Sequence, residues 1–135
     1  MKRISPEEAA AKMEEGYCYL DVRSVPEFET GHPKGAYNIP LMHADKFGMS
    51  PNSKFMEEVL KAFPKDAKIV VGCKSGGRSV GAVGLMEMSG YQDLLEQRAG
   101  FDGDGREPGW RSTALPQSMT PEPGRAYEDL KGKAD

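Results

Sequence analysis

The stretch that decides the fold reads Ala67-Lys68-Ile69-Val70-Val71-Gly72-Cys73-Lys74-Ser75-Gly76-Gly77-Arg78-Ser79. Its first six residues form a short, nearly continuous apolar run. A run of that kind suits a strand buried on both faces, which is the situation in a parallel sheet. Residues 73–78 are polar and contain two glycines, so the spacing predicts a loop. From Ser79 to Met88 the apolar residues Val80, Ala82, Val83, Leu85 and Met86 form a helical stripe, with Gly90 at its end. Gly81 and Gly84 weaken that helix on propensity, and their small size suits a close approach to the sheet. Cys73 therefore stands at the C-terminal end of a buried strand, just before a helix. Open α/β sheets bind ligands at that edge.

Working outward, the same alternation continues on both sides. Ser5-Pro6-Glu7-Glu8 is a helix start, with Ser5 as cap, Pro6 at the first helical position and Glu8 completing a capping box. That helix is expected to stop near Gly16. Tyr17 to Val22 reads as a strand. Pro26 to Glu29 suggests a short helical turn closed by Gly31-His32-Pro33, and Ala36 to Ile39 a short strand ended by Pro40. Residues 41–53 read as a loop with turn residues at Ser50-Pro51-Asn52. Lys54 to Phe63 has helical apolar spacing stopped by Pro64, and Tyr91 to Leu95 is the expected last strand. The expected architecture is α/β in three layers: a central, mostly parallel sheet of about five strands flanked by helices. From Gly100 onward, glycines and prolines break any long element. Trp110 is expected to dock this segment on the core, and Arg125 to Lys131 to form one short helix. Residues 1–116 are read as the domain and 117–135 as a C-terminal extension.

Composition bounds the function. With 135 residues, 38% apolar and 29% charged, the chain suits one globular domain with its own core. A formal net charge of −3 supplies no basic field for nucleic acid. No apolar run is long enough to span a membrane, and no apolar stretch follows Lys2-Arg3, so the expected location is the cytoplasm. A Cys18–Cys73 disulfide is disfavoured in a reducing compartment. No metal-ligand spacing is present, and no cofactor is expected.

The cysteine loop has a specific chemistry. Amides at a helix start face an anion, and the helix dipole adds partial positive charge. Successive amides in a tight loop form an anion nest. Gly76 and Gly77 allow the required backbone, and Lys74 and Arg78 add two cations. These features favour a thiolate, the form that attacks sulfur. The competing reading, an ordinary buried cysteine at a strand end, loses weight once glycines and cations stand in register.

At this point the sequence resembles a family. Cys73-Lys74-Ser75-Gly76-Gly77-Arg78-Ser79 is similar to the active-site loop of rhodanese sulfurtransferases. So is an earlier segment: Tyr19-Leu20-Asp21-Val22-Arg23, Glu27-Phe28, Gly31-His32-Pro33-Lys34-Gly35-Ala36 and Asn38-Ile39-Pro40. Gly90-Tyr91, Gly100-Phe101 and Pro108-Gly109-Trp110 resemble the end of such domains, so the likeness covers most of residues 3–115. Pro33 departs from the family, which more often has a branched apolar residue there.

The resemblance implies a reaction in two steps, with thiolate Cys73 taking the outer sulfur of thiosulfate or a similar anionic donor as a persulfide. A thiophilic acceptor (cyanide, a thiol or a protein cysteine) then removes it. On this reading Lys74 and Arg78 bind the sulfonate, and the amides from Lys74 through Ser75, Gly76, Gly77 and Arg78 to Ser79 solvate the persulfide. Asp21 and Arg23 support the loop through hydrogen bonds, or else form a local ion pair with a neighbour such as Glu27. The expected partners are thus a small anionic donor and a thiophilic acceptor, with no nucleic acid and no membrane. The alternatives are a persulfide carrier in a protein sulfur relay and, further off, a non-catalytic binding module. The related phosphatases place five residues between cysteine and arginine, whereas only four intervene here. The smaller cradle suits a sulfur atom better than a tetrahedral phosphate. His32 is read as a hydrogen-bonding loop residue rather than a base, Cys18 as a small core residue, and Asp102-Gly103-Asp104-Gly105 as a solvated loop, since Arg106 and Glu107 break the calcium-loop pattern.

Overall fold

A computed structural model describes residues 1–131. Five parallel strands form the central sheet: β1 (Lys2–Ile4), β2 (Cys18–Asp21), β4 (Tyr37–Asn38), β7 (Lys68–Gly72) and β8 (Asp93–Gln97), in the order β1-β8-β7-β2-β4. The run from Lys68 lies in the middle, between β8 and β2, and Ile69, Val70 and Val71 are all fully buried. The two sides of this strand feed two cores. Ile69 and Val71 pack with α3 (Phe55–Ala62) and α4 (Gly77–Met88), and Val70 packs with α1 (Pro6–Glu14), Phe28 and Trp110. The continuous apolar run is thus read correctly as a strand covered on both faces.

Local chemistry sets the helix starts. The Ser5/Glu8 capping box closes α1 as expected. A second box that the sequence reading did not note, Ser24 with Glu27, opens α2 (Val25–Glu29). No helix is long and apolar enough to cross a membrane among the described residues.

Three expectations about these elements are corrected, and one strand was not anticipated. Residues 41–53 are not a plain loop: β5 (Met42–Asp45) and β6 (Gly48–Pro51) pair as an antiparallel hairpin. Most of that hairpin is exposed, so no alternating apolar pattern announced it. Strand β1 was missed because only Ile4 of its three residues is buried. The last strand runs to Gln97 rather than ending at Leu95, since Glu96 and Gln97 are polar yet fully buried. Gly81 and Gly84 do not mark a close approach: a Cβ on Gly84 would meet nothing within 4 Å, and one on Gly81 only Leu41 at 3.8 Å.

The segment after Gly100 docks as expected through Trp110, which is buried and donates its Nε1–H to the Pro116 carbonyl at 3.0 Å. Beyond it, β9 (Gln117–Ser118) pairs with β3 (His32–Pro33), and α5 (Tyr127–Lys131) places Leu130 in the core beside α3. Tyr127 donates to Glu58 at 2.6 Å. Residues 117–131 are therefore a strap that contributes to the core, and the last four residues of the expected extension lie outside the described ones. Leu130→Ala is expected to cost about 2–5 kcal/mol, the range for emptying a buried leucine site. Urea unfolding would register it as a lower midpoint at unchanged slope. A midpoint within error of wild type would show that the strap does not carry stability.

Candidate active site

Strand β7 ends at Gly72, and Cys73 follows at the C-terminal edge of the sheet. Helix α4 starts at Gly77, two residues earlier than expected, so the loop is shorter and its turn tighter. Gly76 caps it with φ of +95°, a left-handed backbone that favours glycine. That turn aims the Gly76 N–H at Cys73 Sγ, 3.1 Å away. Ser79 Oγ sits 3.3 Å from the same sulfur. Cys73 is only 2% exposed, with apolar neighbours on the core side and these two polar contacts on the loop side. Of the expected ring of amides, the one that bonds the sulfur is Gly76.

The loop is braced by backbone, not by the side chains first expected. Phe101 and Asp102 donate their N–H groups to the carbonyls of Cys73 and Lys74, at 2.8 and 2.9 Å. Asp21 and Arg23, read as loop supports, bond mainly to each other: Arg23 makes several hydrogen bonds to the Asp21 carboxylate, the shortest 2.7 Å. Arg23 also donates to the carbonyls of Glu27 and Gly31. The described side-chain bonds of this buried pair do not reach residues 73–79. It connects to them indirectly, through the backbone bond from Val22 N–H to the Gly72 carbonyl, 2.9 Å, and through Glu27, whose carbonyl accepts from Arg23 and whose carboxylate holds Arg78.

The two loop cations have different surroundings. Arg78 is held by Glu27, with guanidinium–carboxylate distances of 2.7 and 2.9 Å, and is mostly buried. Burial by itself would push the Glu27 carboxyl up, but hydrogen bonds from Arg78 and Ser24 reverse this and lower it to about 2. The same bond to Glu27 raises Arg78. The stabilisation from this pair is therefore complete above the ordinary carboxylate range and is lost as pH falls through about 2. Lys74 is 55% exposed, 3.9 Å from Asp102. Ser75 and Gly77 are exposed on the outer side of the loop.

Beside the loop opens a cavity of about 280 Å³, lined by Arg23, Glu27, Thr30, Lys74, Asp102 and Arg111 among others. Arg111 was not singled out from the sequence, although it follows the Gly109-Trp110 pair that was. Both arginines lie over the Phe101 ring, Arg23 4.4 Å from its centre and Arg111 5.8 Å.

A second omission lies beneath the loop. Ser79 Oγ donates to Glu96, and the other Glu96 oxygen accepts from Arg3 Nε at 2.6 Å. No sequence rule joins residues 3, 79 and 96; the pairing of β1 with β8 sets Arg3 beside Glu96, and α4, packed on β8, brings Ser79 to them.

The remaining residues fall in structural places. His32 is fully buried, stacked on Phe28 at 3.8 Å, and donates through Nδ1 to the Phe28 carbonyl. Cys18 is half-buried at the start of β2, and burial pushes its thiol up against the opposing field of Arg125. Asp104 accepts two backbone N–H bonds, from Arg106 and Glu107, as a loop-closing residue.

Comparison with known proteins shows the family. Residues 5–104 match the model of the rhodanese-like domain, and the chain belongs to that family. Thiosulfate sulfurtransferase 16, chloroplastic, of Arabidopsis thaliana is 38% identical over 101 residues, covering 75% of this chain and 79% of that one. The senescence-associated protein DIN1 of Raphanus sativus is 37% identical over 86 residues, covering 64% of this chain and 47% of its own, so this chain spans about half of that longer relative. The crystal structure of Rv0390 from M. tuberculosis superposes with a TM-score of 0.76 at 22% identity, over 89% of this chain and 98% of that one, and shows the shared fold.

Proposed function

We propose that the protein is a sulfurtransferase that carries sulfane sulfur as a persulfide on Cys73, loaded from thiosulfate or a similar anionic donor. The observation that carries this reading is the Gly76 N–H aimed at Cys73 Sγ from the start of α4, in a loop with two cations. The family membership, and the activity named for the Arabidopsis relative, support it further.

The chemistry balances without a cofactor. Thiolate Cys73 attacks the outer sulfur of thiosulfate, the S–S bond of the donor breaks, and its electron pair leaves with sulfite. The new terminal sulfur bears the negative charge, which the Gly76 amide and the helix start stabilise. A thiophilic acceptor then attacks that sulfur and returns the Cys73 thiolate, so one hard step becomes two easier ones. Because Glu27 already holds Arg78, Lys74 and Arg111 at the mouth of the cavity are the cations more open to an incoming sulfonate.

Intact-protein mass spectrometry tests the reading. After thiosulfate treatment the wild type is expected to gain one sulfur atom, removed again by cyanide or dithiothreitol; an unchanged mass would overturn it. Lys74→Ala is expected to weaken loading from thiosulfate about 3- to 10-fold, consistent with one partly screened ion contact, and to leave an uncharged sulfane donor nearly unaffected. Arg78→Ala is expected to weaken both donors, since it also frees Glu27 and disturbs the loop. Equal losses for the two donors in Lys74→Ala would remove that residue from sulfonate binding.

A further inference from the structure

Three side chains lead on from the Cys73 sulfur: Ser79, then Glu96, then Arg3 on the edge strand. Ser79 and Glu96 are fully buried, and Arg3 is 46% exposed at the surface end. A serine hydroxyl has one proton to donate. Here it goes to Glu96, so Ser79 turns only lone pairs toward Cys73 Sγ. Lone pairs suit a thiol, which donates its S–H, and oppose a thiolate or persulfide, which needs a donor.

We propose that Glu96, paired with Arg3, is a positioning residue that governs Cys73 by holding the Ser79 hydroxyl proton away from the sulfur. The proposal rests on the sulfurtransferase reading only for its consequence in turnover; the control of Cys73 itself stands on the hydrogen-bond chain. Two acceptors compete for one proton. While Glu96 wins, Ser79 gives the sulfur no donor, and the Gly76 N–H is the polar hydrogen that reaches it among the described bonds. When sulfur is loaded, the charged persulfide draws the hydroxyl round, and Glu96 keeps only the Arg3 bond. The ion pair to Arg3 is what makes this exchange feasible, since a buried carboxylate without a cation would instead take up a proton.

Other groups around the sulfur are accounted for. Arg78 on α4 faces Cys73 but is tied to Glu27, and Tyr19 on β2 is buried with its hydroxyl pushed up by desolvation and hence uncharged. Arg3 sees both Cys73 and Asp104. Lys74 points outward to Asp102. None of these donates to or accepts from Ser79 among the described hydrogen bonds.

The test is the pH dependence of iodoacetamide alkylation at Cys73, read by peptide mass spectrometry so that Cys18 is scored separately. In Glu96→Gln the amide cannot hold the hydroxyl as a charged acceptor does, and a like charge is lost. The midpoint of the profile is expected to fall by about one pH unit, and alkylation below that midpoint to rise about tenfold. Arg3→Met reaches the same end by another route: uncompensated Glu96 takes up a proton and donates to Ser79, so the midpoint again falls, while Arg3→Lys stays near wild type. The decisive comparison places Glu96→Gln in a Ser79→Ala background, where most of the shift is expected to vanish. A midpoint that stays or rises in Glu96→Gln overturns the proposal, as does an undiminished fall without Ser79, which would make Glu96 a mere distant charge. If Glu96→Gln does not fold, Arg3→Met and Arg3→Lys give the same reading. Alkylation needs no sulfur donor, so a wild type that takes no sulfur from thiosulfate would sink the sulfurtransferase reading and leave this test intact.

Discussion

Cys73→Ser is expected to take up no sulfur from thiosulfate, and its turnover to fall by roughly three orders of magnitude or more, as when an enzyme loses its covalent nucleophile. The geometry gives the reason. Only the sulfur at position 73 receives the Gly76 N–H at the start of α4. A serine hydroxyl there stays protonated at neutral pH and cannot form a persulfide. Cys18→Ser is the matched control. Cys18 lies at the opposite end of β2, its thiol is pushed up by burial, and it lines a separate cavity with Tyr17, Tyr37 and Arg125. That variant is expected to load one sulfur as the wild type does. Loading that survives Cys73→Ser, or disappears with Cys18→Ser, would move the reaction to another thiol.

Gly76→Ala carries the second large effect. The residue has φ of +95°, and an added Cβ would stand 2.4 Å from the Arg98 carbonyl oxygen and 3.1 Å from the Arg3 guanidinium. The arginine tip can swing aside, but the carbonyl belongs to the chain that leads into the brace at Phe101 and Asp102. Left-handed backbone costs a non-glycine residue about 1–2 kcal/mol, and overpacking a filled site adds about 1–3 kcal/mol. A stability loss of about 2–5 kcal/mol is therefore expected, with sulfur loading lost as the Gly76 N–H moves off the sulfur. Gly77→Ala, one residue on, has open space and ordinary backbone, so its stability is expected to change by no more than about 0.5 kcal/mol. Equilibrium unfolding of the two variants side by side checks this. Equal stabilities would mean that the turn at 76 does not constrain the loop.

Much of this molecule was legible in its residues, for reasons that differ from place to place. The apolar run Ile69-Val70-Val71 could satisfy its side chains only between two layers, and Ser5-Pro6-Glu7-Glu8 carries its own cap. Cys73 with Gly76, Gly77 and Arg78 was recognisable because strand, turn and helix start are adjacent in sequence. The hairpin at Met42–Pro51 was not, since its backbone pairs while most of its side chains face solvent. The end of β8 was misplaced because buried polar residues look like surface until their partners are known. Gln97, for instance, accepts from the amides of Ala99 and Gly100 and donates to the Gly100 carbonyl.

The sequence by itself determined the strand–loop–helix unit that presents Cys73, and with it the class of chemistry, because neighbouring residues supply the turn, the amides and the cations. Only the tertiary structure decided how those groups are committed. Glu27 claims Arg78, Phe101 and Asp102 hold the loop, and Arg3 with Glu96 claims the Ser79 proton. The physical reason is that a hydrogen-bond donor's effect depends on which acceptor reaches it first, and those acceptors arrive from strands and turns far away along the chain.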